Sequence, residues 1–201
     1  MSTATQSPAM TLPSPAGVYR LTLDQYDRMV RDGRLDEHDR VELLAGVLVR
    51  QMPKNPDHVR AVTEIDEVLK ACRSESWHVR KEDPVLIPDY DEPEPDLAIV
   101  RGTRAAFRGR HPGPGDLALV VEVGSTSLED DQGVRLDRYA RAAIPVYWIV
   151  NLRDRRVEVH TDPDQAEGRY GNRVDFGPGE QAPVMIDGQE VGRIPVGDLL
   201  A

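Results

Sequence analysis

Two carboxylates stand inside runs of apolar residues, where acidic side chains are rare. Asp96 opens the run 96–100 directly after Pro95, and Glu122 interrupts the run 117–123 near its end. A carboxylate buried in such a run is costly unless it forms an ion pair or binds a cation. Carboxylates from neighbouring strands, whose backbones are about 5 Å apart, can bind one hard cation such as Mg²⁺. The alternative is that Glu122 forms a salt bridge and Asp96 caps a turn, but the two runs favour the metal site.

A helix predicted over 131–142 follows Glu122 closely and carries a second set of polar side chains. Asp131, Arg135 and Tyr139 recur at every fourth position, so they share one face of that helix. This face can present a cation and a phenol near Glu122. A solvated polar stripe explains the same spacing, and the helix taken alone favours the stripe.

Other residues able to do chemistry are scattered along the chain. Glu42 lies between apolar neighbours, where it is either a half-exposed carboxylate or part of a site. The five histidines lack metal-ligand spacing and are predicted to be structural or exposed, although His58 begins a helix, where a phosphate can bind. Most basic residues are arginines, and several are candidates for a basic cleft or, equally, for a solvated surface. These arginines are Arg101, Arg104, Arg108, Arg110, Arg135, Arg138 and Arg141. The chain has only three lysines, which are Lys54, Lys70 and Lys81.

The composition limits the class of protein. With 201 residues and a hydrophobic fraction of 39%, the chain is typical of a globular protein with its own core. The net charge of −10 excludes a polybasic protein that binds nucleic acid by bulk charge, but it allows a local basic cleft. Cys72 is the single cysteine, so a cytoplasmic location is expected. We expect residues 1–19 to be a disordered lead-in, residues 20–201 to form a single domain, and no segment to cross a membrane.

The predicted helices and strands are typical of an α/β protein. The runs 96–100 and 117–123 are nearly all apolar and are expected to be buried on both faces, whereas 155–161 alternates and is expected to be half-exposed. The unit 117–150 predicts a parallel crossover, so we expect one mixed sheet with helices on both sides. The other predicted elements are helices over 22–31, 57–71 and 131–142, two strands (or a helix end and a strand) within 40–50, strands over 77–81, 84–88 and 146–152, short antiparallel strands within 168–200, and a loop over 89–95.

Common catalytic motifs are absent from the sequence. It contains no glycine-rich phosphate-binding loop, no zinc-protease helix motif, no paired cysteines and no nucleophile elbow of a serine hydrolase. These absences remove the simple nucleotide-binding, zinc-protease and serine-hydrolase interpretations.

Three segments resemble a known family of endonucleases. They are RVELLAGVLVRQMP, EPEPDLAIV and LALVVEVGSTSLEDDQGVRLDRYARAAIPVYWIVNLRDRRVEVH. In order and spacing, residues 20–200 resemble the Uma-two family, which belongs to the restriction-endonuclease-like PD-(D/E)XK superfamily. The resemblance implies a restriction-endonuclease-like core, in which helices flank a mixed four-stranded sheet, with extra C-terminal β-strands.

The resemblance also implies an active site that uses a divalent metal, Mg²⁺ or Mn²⁺. Asp96 matches the metal-binding aspartate of the family, and Glu122 matches the acid of the second motif. The carbonyl of Val123 is implied as a further metal ligand, and Glu42 matches the upstream glutamate that often joins such sites. A metal held by carboxylates polarises a phosphate and lowers the pKa of an attacking water.

The sequence departs from the superfamily at the catalytic lysine. Gly124 stands two residues after Glu122, where the superfamily pattern has lysine. The family usually moves this lysine to the next helix, and there Arg135 occupies the position. Arginine keeps the positive charge, but its pKa above about 12 makes it useless as a general base. The exchange is either a tolerated drift towards arginine or the mark of a weakened nuclease.

Taken together, these features favour a metal-dependent endonuclease that hydrolyses DNA. Glu42, Asp96, Glu122 and Arg135 would be its catalytic residues, and the candidates for substrate contact are Tyr139, Arg138 and His58. The family resemblance also implies a two-fold homodimer, since duplex DNA has two strands. The alternatives are a catalytically impaired nucleic-acid-binding or regulatory protein on the same fold, and a hydrolase of a smaller phosphate ester.

Overall fold

The computed structural model describes residues 17–72 and 76–200 of the chain. The strands in this part are β1 (Val41–Leu44), β2 (Val47–Arg50), β3 (Trp77–Lys81), β4 (Leu97–Arg101), β5 (Leu117–Gly124), β6 (Val146–Asn151), β7 (Arg156–Asp164), β8 (Arg169–Phe176), β9 (Gln181–Ile186) and β10 (Gln189–Pro195). The helices are α1 (Leu23–Arg31), α2 (Pro56–Ala71), α3 (Leu128–Asp130), α4 (Leu136–Arg141) and α5 (Val196–Leu199). A π-helical turn (Asp131–Arg135) joins α3 to α4, and short 3₁₀ turns cover Arg104–Phe107 and Pro114–Asp116.

A six-stranded mixed sheet forms the centre of this α/β fold. Its strand order is β3-β4-β5-β6-β7-β8. Strands β5 and β6 are parallel and are joined by α3, the π-helical turn and α4, while the other neighbouring strands of the sheet are antiparallel. The predicted mixed sheet, its parallel crossover and the additional C-terminal strands are therefore confirmed. The sheet has six strands rather than four, because β7 and β8 extend it beyond β6.

Strand β5 is buried along its whole length, as its apolar sequence predicts. Its side chains alternate between two hydrophobic clusters on opposite faces of the sheet. Leu119 and Val121 face one cluster, which α2 covers with Ile65, whereas Val120 faces the other, which Tyr139 of α4 covers. A polar side chain on β5 is therefore enclosed by protein, and this is the setting of Glu122.

Local sequence signals fix the start of α1 and the turn between β1 and β2. Thr22 caps α1 and forms a capping box with Gln25. Gly46 adopts φ +75°, and a Cβ atom there would lie 2.6 Å from the Cβ of Arg20. Only glycine fits this turn, so the segment 40–50 forms a hairpin, the first of its two predicted alternatives.

The strand predicted over 84–88 does not form. Its backbone hydrogen bonds do not follow a ladder pattern. The N–H of Val85 donates to the carbonyl of Pro93, and that of Leu86 donates to the carbonyl of Pro112. Ile87 forms a single isolated bridge. Proline residues at both ends of this segment lack the N–H donors that a ladder needs, so the segment packs its apolar side chains without joining the sheet.

The prediction that 155–161 is half-exposed is wrong, because β7 is an interior strand of the sheet. Glu158 and His160, which alternate with the valines, are buried. The carboxylate of Glu158 accepts a hydrogen bond of 2.8 Å from Asn151, and His160 lies against the ring of Tyr147. The buried carboxylate of Glu158 is thus accommodated by hydrogen-bond donors from other elements of the fold.

Two further expectations concern the ends of the chain and the membrane. Most of the predicted lead-in, residues 1–16, lies outside the described residues. Within the described ranges, no helix combines the length and apolar character needed to cross a bilayer.

Glu158 generates a prediction about acid stability. Burial alone would raise its pKa, but the nearby His160 and the hydrogen bonds from Asn151 and Gln132 hold the pKa at about 2, below the ordinary 4.5. The charged carboxylate therefore stabilises the fold above pH 4.5, and this contribution is lost as the pH falls towards 2. Glu158→Gln should reduce the free energy of unfolding at pH 6 by roughly 1–3 kcal/mol, and the difference should shrink towards pH 2. Denaturant titrations at several pH values measure this, with the exposed Glu167→Gln as the control. An equal difference at all pH values would contradict the account.

Candidate active site

The register between β4 and β5 brings Asp96 and Glu122 together. Leu97 pairs with Val121, so the residue before β4 lies beside the next residue of β5. The N–H of Val123 donates to the carboxylate of Asp96 at 2.8 Å, and the N–H of Asp96 points to the carboxylate of Glu122 at 3.4 Å. Both carboxylates are buried. Each is thus held partly by the backbone that carries the other.

A third carboxylate, Glu42, reaches the same place from the β1–β2 hairpin. The N–H of Glu94 donates to the Glu42 carboxylate at 3.1 Å. The hairpin itself is attached to the loop before β4, because the N–H of Glu92 donates to the carbonyl of Leu43 at 2.8 Å. Glu42 is only 2% exposed, so it is not the half-exposed carboxylate of the alternative interpretation.

Arg135 lies between these carboxylates. Its guanidinium contacts Glu42, lies 3.2 Å from Glu122 and lies 3.5 Å from Asp131. Tyr139 donates its hydroxyl hydrogen to the same oxygen of Glu122 at 2.8 Å. One guanidinium therefore links the hairpin, the central strand β5 and the crossover helix.

The alternative of a solvated polar stripe is wrong for Asp131, Arg135 and Tyr139. Asp131 and Tyr139 are buried, and the side chain of Arg135 is 13% exposed. The π-helical turn adds a residue to the helical repeat at this point, and such turns are often found at functional sites. The sheet contacts the backbone of this turn, because the hydroxyl of Tyr147 on β6 donates to the carbonyl of Asp131 at 3.0 Å. The polar face predicted from the spacing is thus turned towards Glu122.

His58 lies on the opposite side of Asp96 from Arg135's helix. Asn55 caps α2 by accepting from the N–H of His58, and this places the imidazole over the end of β5. Nδ1 of His58 lies 2.9 Å from the carbonyl of Val123, and Nε2 lies 3.0 Å from Asp96. Burial lowers the pKa of His58, but the hydrogen bond and charge of Asp96 more than offset this, so the pKa is raised. The imidazole of His58 thus lies between two of the predicted metal-binding groups.

One lysine, Lys54, lies beside Asp96 at this site. Its ammonium group lies 3.0 Å from Glu82 and 3.8 Å from Asp96, and its side chain is 30% exposed. Lys81 and Lys70 line a different cavity. The sequence held one signal for Lys54: it is one of three lysines in a chain whose other basic residues are arginine.

The other arginines proposed for a basic cleft do not line the cavity in which Arg135 and Lys54 lie. Arg138 donates to Asp91 at 2.8 and 2.9 Å, so it must leave that carboxylate to contact a substrate. Several of the rest form ion pairs on the surface, Arg101 with Asp187 and Arg110 with Asp116. Arg135 is the member of that set that lines the cavity.

The cavity carries an excess of buried negative charge. It has a volume of about 110 Å³ and is lined by seven carboxylates, among them Glu42, Asp96, Glu122 and Asp131, and by the cations Arg50, Lys54 and Arg135. Burial raises the pKa of Glu122 well above its ordinary value, and the neighbouring carboxylates raise it further although Arg135 opposes them. Burial likewise raises the pKa of Asp131 to about 7. A further cation would relieve this charge.

The donor atoms fit a hard divalent cation. Asp96, Glu122 and Val123 line the same cavity, and their carboxylate and carbonyl oxygens are the type of donor that Mg²⁺ prefers. Within the described ranges, no three His, Cys, Asp or Glu side chains converge on a common metal position. Mg²⁺ is commonly bound by one or two carboxylates and keeps several waters. Two carboxylates and a carbonyl are therefore a sufficient set of protein ligands.

Known proteins provide relatives at the level of family and fold. The family model Uma2, described as "Putative restriction endonuclease", matches residues 23–190. The chain is also similar to a solved structure of "a putative nuclease belonging to DUF820" from Anabaena variabilis, with a TM-score of 0.66 and 14% identity over 90% of this chain and 97% of that one. At this identity the likeness shows the fold alone. No curated protein matches the sequence.

The buried position of Arg135 generates a prediction about stability. Arg135→Ala leaves Glu42, Glu122 and Asp131 without their shared cation, so it should lower the free energy of unfolding at pH 8 by about 3–5 kcal/mol. The loss should be smaller at pH 5, because the uncompensated carboxylates can then bind protons. Arg141→Ala removes an exposed pair with Asp137 on the same helix and should change stability by less than about 1 kcal/mol. Denaturant unfolding at both pH values measures this; equal effects of the two substitutions would contradict it.

Proposed function

The chain belongs to the Uma2 family of restriction-endonuclease-like proteins, and from this membership we propose that it is a divalent-metal-dependent endonuclease that hydrolyses DNA phosphodiester bonds. The family and the fold support a nuclease role. The observation that carries the finer proposal is the contact between Asp96 and Glu122 beside a buried guanidinium. Few purely structural arrangements place so many carboxylates around so few cations.

Asp96, Glu122 and the carbonyl of Val123 are the proposed metal ligands, for Mg²⁺ or Mn²⁺. Divalent metals generally serve this family, and an ion held here would act as a Lewis acid on the phosphate and lower the pKa of the attacking water. His58 contacts Asp96 and the carbonyl of Val123, so it would have to release them for a metal to bind, and it would then be available to contact a phosphate oxygen.

Arg135 is proposed to act by charge and by position. It orients Glu42 and Glu122, and its positive charge stabilises negative charge that develops on the phosphate. Proton transfer is excluded as its role, since guanidinium stays charged. Tyr139 assists by fixing the rotamer of Glu122 through its hydrogen bond.

Lys54 is proposed as the group that meets the substrate phosphate directly. Its side chain is more exposed than that of Arg135, which also lines the cavity, and it pairs with Glu82 and Asp96. A compact ammonium on a flexible chain suits a phosphate that arrives from solvent. It thereby takes over one part of the role of the lysine that the superfamily pattern places two residues after the glutamate.

A second candidate function is nucleic-acid binding without catalysis. The observation that favours it is that Arg135 and His58 already occupy the carboxylates and the carbonyl that would hold the metal. If these contacts persist when substrate binds, the cavity recognises a phosphate but does not cleave.

We also propose that the protein works in the cytoplasm as a two-fold homodimer, since two symmetry-related sites can cut both strands of a duplex. Light scattering at micromolar concentration should give the mass of two chains. The mass of one chain would contradict the dimer without affecting the proposed chemistry.

Cleavage of supercoiled plasmid DNA tests the proposed activity. The wild type should nick and linearise the plasmid with Mg²⁺ or Mn²⁺ and should be inactive with EDTA. The double variant Asp96→Asn, Glu122→Gln should not cleave. Lys54→Met should slow cleavage by roughly 10², the scale for one electrostatic donor. The matched control Lys81→Met, outside the cavity, should cleave at the wild-type rate.

Arg135→Lys distinguishes the two candidate functions. It restores the family's usual group on the same helix and should keep or raise the cleavage rate if the chain is a nuclease. No cleavage by the wild type and no gain in Arg135→Lys, together with retained DNA binding, would favour the non-catalytic function. Cleavage by the double variant at the wild-type rate would contradict the assigned site.

A further inference from the structure

A second, larger cavity lies next to the proposed active site. It has a volume of about 570 Å³ and is enclosed by α1, the segment that follows α1, the start of β1 and the loops around Pro84 and Glu92. Its size is within the range of small-molecule sites. Gln51 and Glu94 line both cavities, and the amide of Gln51 donates to the carboxylate of Glu94 at 2.6 Å. The two cavities therefore share a wall.

Glu92 is the unusual side chain of this cavity. It is 9% exposed, and its oxygen Oε2 is buried without a hydrogen-bond partner. Its backbone is fixed, because the N–H of Glu92 donates to the carbonyl of Leu43. Burial and the nearby charges of Asp27 and Glu94 raise the pKa of Glu92 to about 7. A buried carboxyl oxygen without a donor is costly, so the cavity lacks a hydrogen-bond donor at this point.

The charge and shape of the wall indicate which donor would fit. Five carboxylates and two guanidinium groups line the cavity, so its net charge is negative. Apolar side chains form another part of the wall, among them Val30, which is 47% exposed, and Leu35. An exposed valine beside buried acid suits a ligand with one cationic end and an aliphatic body. A phosphate or a nucleotide is disfavoured by the same charges.

We propose that this cavity binds an organic cation, an ammonium or guanidinium group on a short aliphatic chain. The cationic group would donate to the free oxygen of Glu92, and the chain would lie against Val30 and Leu35. The site is separate from the metal ligands, and its occupation requires neither nucleic acid nor metal. The nuclease function can therefore fail while this proposal stands, and the reverse also holds.

Isothermal titration of the metal-free protein with agmatine tests the proposal. Agmatine carries a guanidinium and an ammonium group joined by a butyl chain. The wild type should bind it at one site per chain. Glu92→Gln keeps the shape of the side chain but removes the charge, so binding should weaken by about tenfold or more. The control Glu167→Gln removes the same charge from an exposed turn and should leave the affinity within about twofold, as expected for a distant site.

A second pair of measurements separates this site from general attraction to an acidic surface. Val30→Ser should weaken agmatine binding while leaving the weaker binding of guanidinium ion alone unchanged, because only agmatine has an aliphatic chain. Mg²⁺ should not compete with agmatine. Equal affinity of Glu92→Gln and wild type, the absence of agmatine binding, or competition by Mg²⁺ would each overturn the proposal.

Discussion

The contact of one buried guanidinium with three carboxylates is the interaction on which the rest of the site depends. Arg135 joins Glu42 from the hairpin, Glu122 from the central strand and Asp131 from the helix itself. Each carboxylate would be strongly destabilising in its buried position without a cation. The guanidinium therefore allows the fold to keep these charges, and the surplus of negative charge that it leaves uncompensated supports the proposed metal site. Stability and proposed chemistry here come from the same ion pairs.

The pairing of strands in the sheet fixes the relative positions of the residues in the site. The antiparallel register of β4 and β5 sets Asp96 beside Glu122, and the parallel pairing of β5 with β6 requires the crossover helix that carries Arg135. Because β5 is packed on both faces, Glu122 cannot move to solvent when its partners change. His58 and Lys54 come from α2 and the segment before it, and their side chains are 13% and 30% exposed. The sheet thus positions Asp96 and Glu122, whereas these two partners of Asp96 come from outside the sheet.

How much the sequence predicts depends on whether a residue's role is local. Asp96 and Glu122 could be identified because each is an acidic residue within an apolar run, and Asp131 could be grouped with Arg135 because they are four positions apart on a helix. Both predictions depend only on neighbours along the chain. The approach of His58 to Asp96 spans 38 positions of the chain and leaves no periodic trace. The burial of Glu158 was missed for the same reason, because its partners lie on other strands and on the crossover helix. Glu42 was identified through the family resemblance, since its own neighbours were equally consistent with a half-exposed carboxylate.

The central claim is that buried carboxylates beside Arg135 hold a divalent cation, and direct titration of Mn²⁺ tests it without any assumption about substrate. Electron paramagnetic resonance at pH 8 reports free Mn²⁺ as protein is added. The account predicts one bound ion per chain in the wild type, loss of that binding in Asp96→Asn, and unchanged binding in the control Glu167→Gln. Equal Mn²⁺ binding by Asp96→Asn and the wild type, or no binding by the wild type, would contradict it.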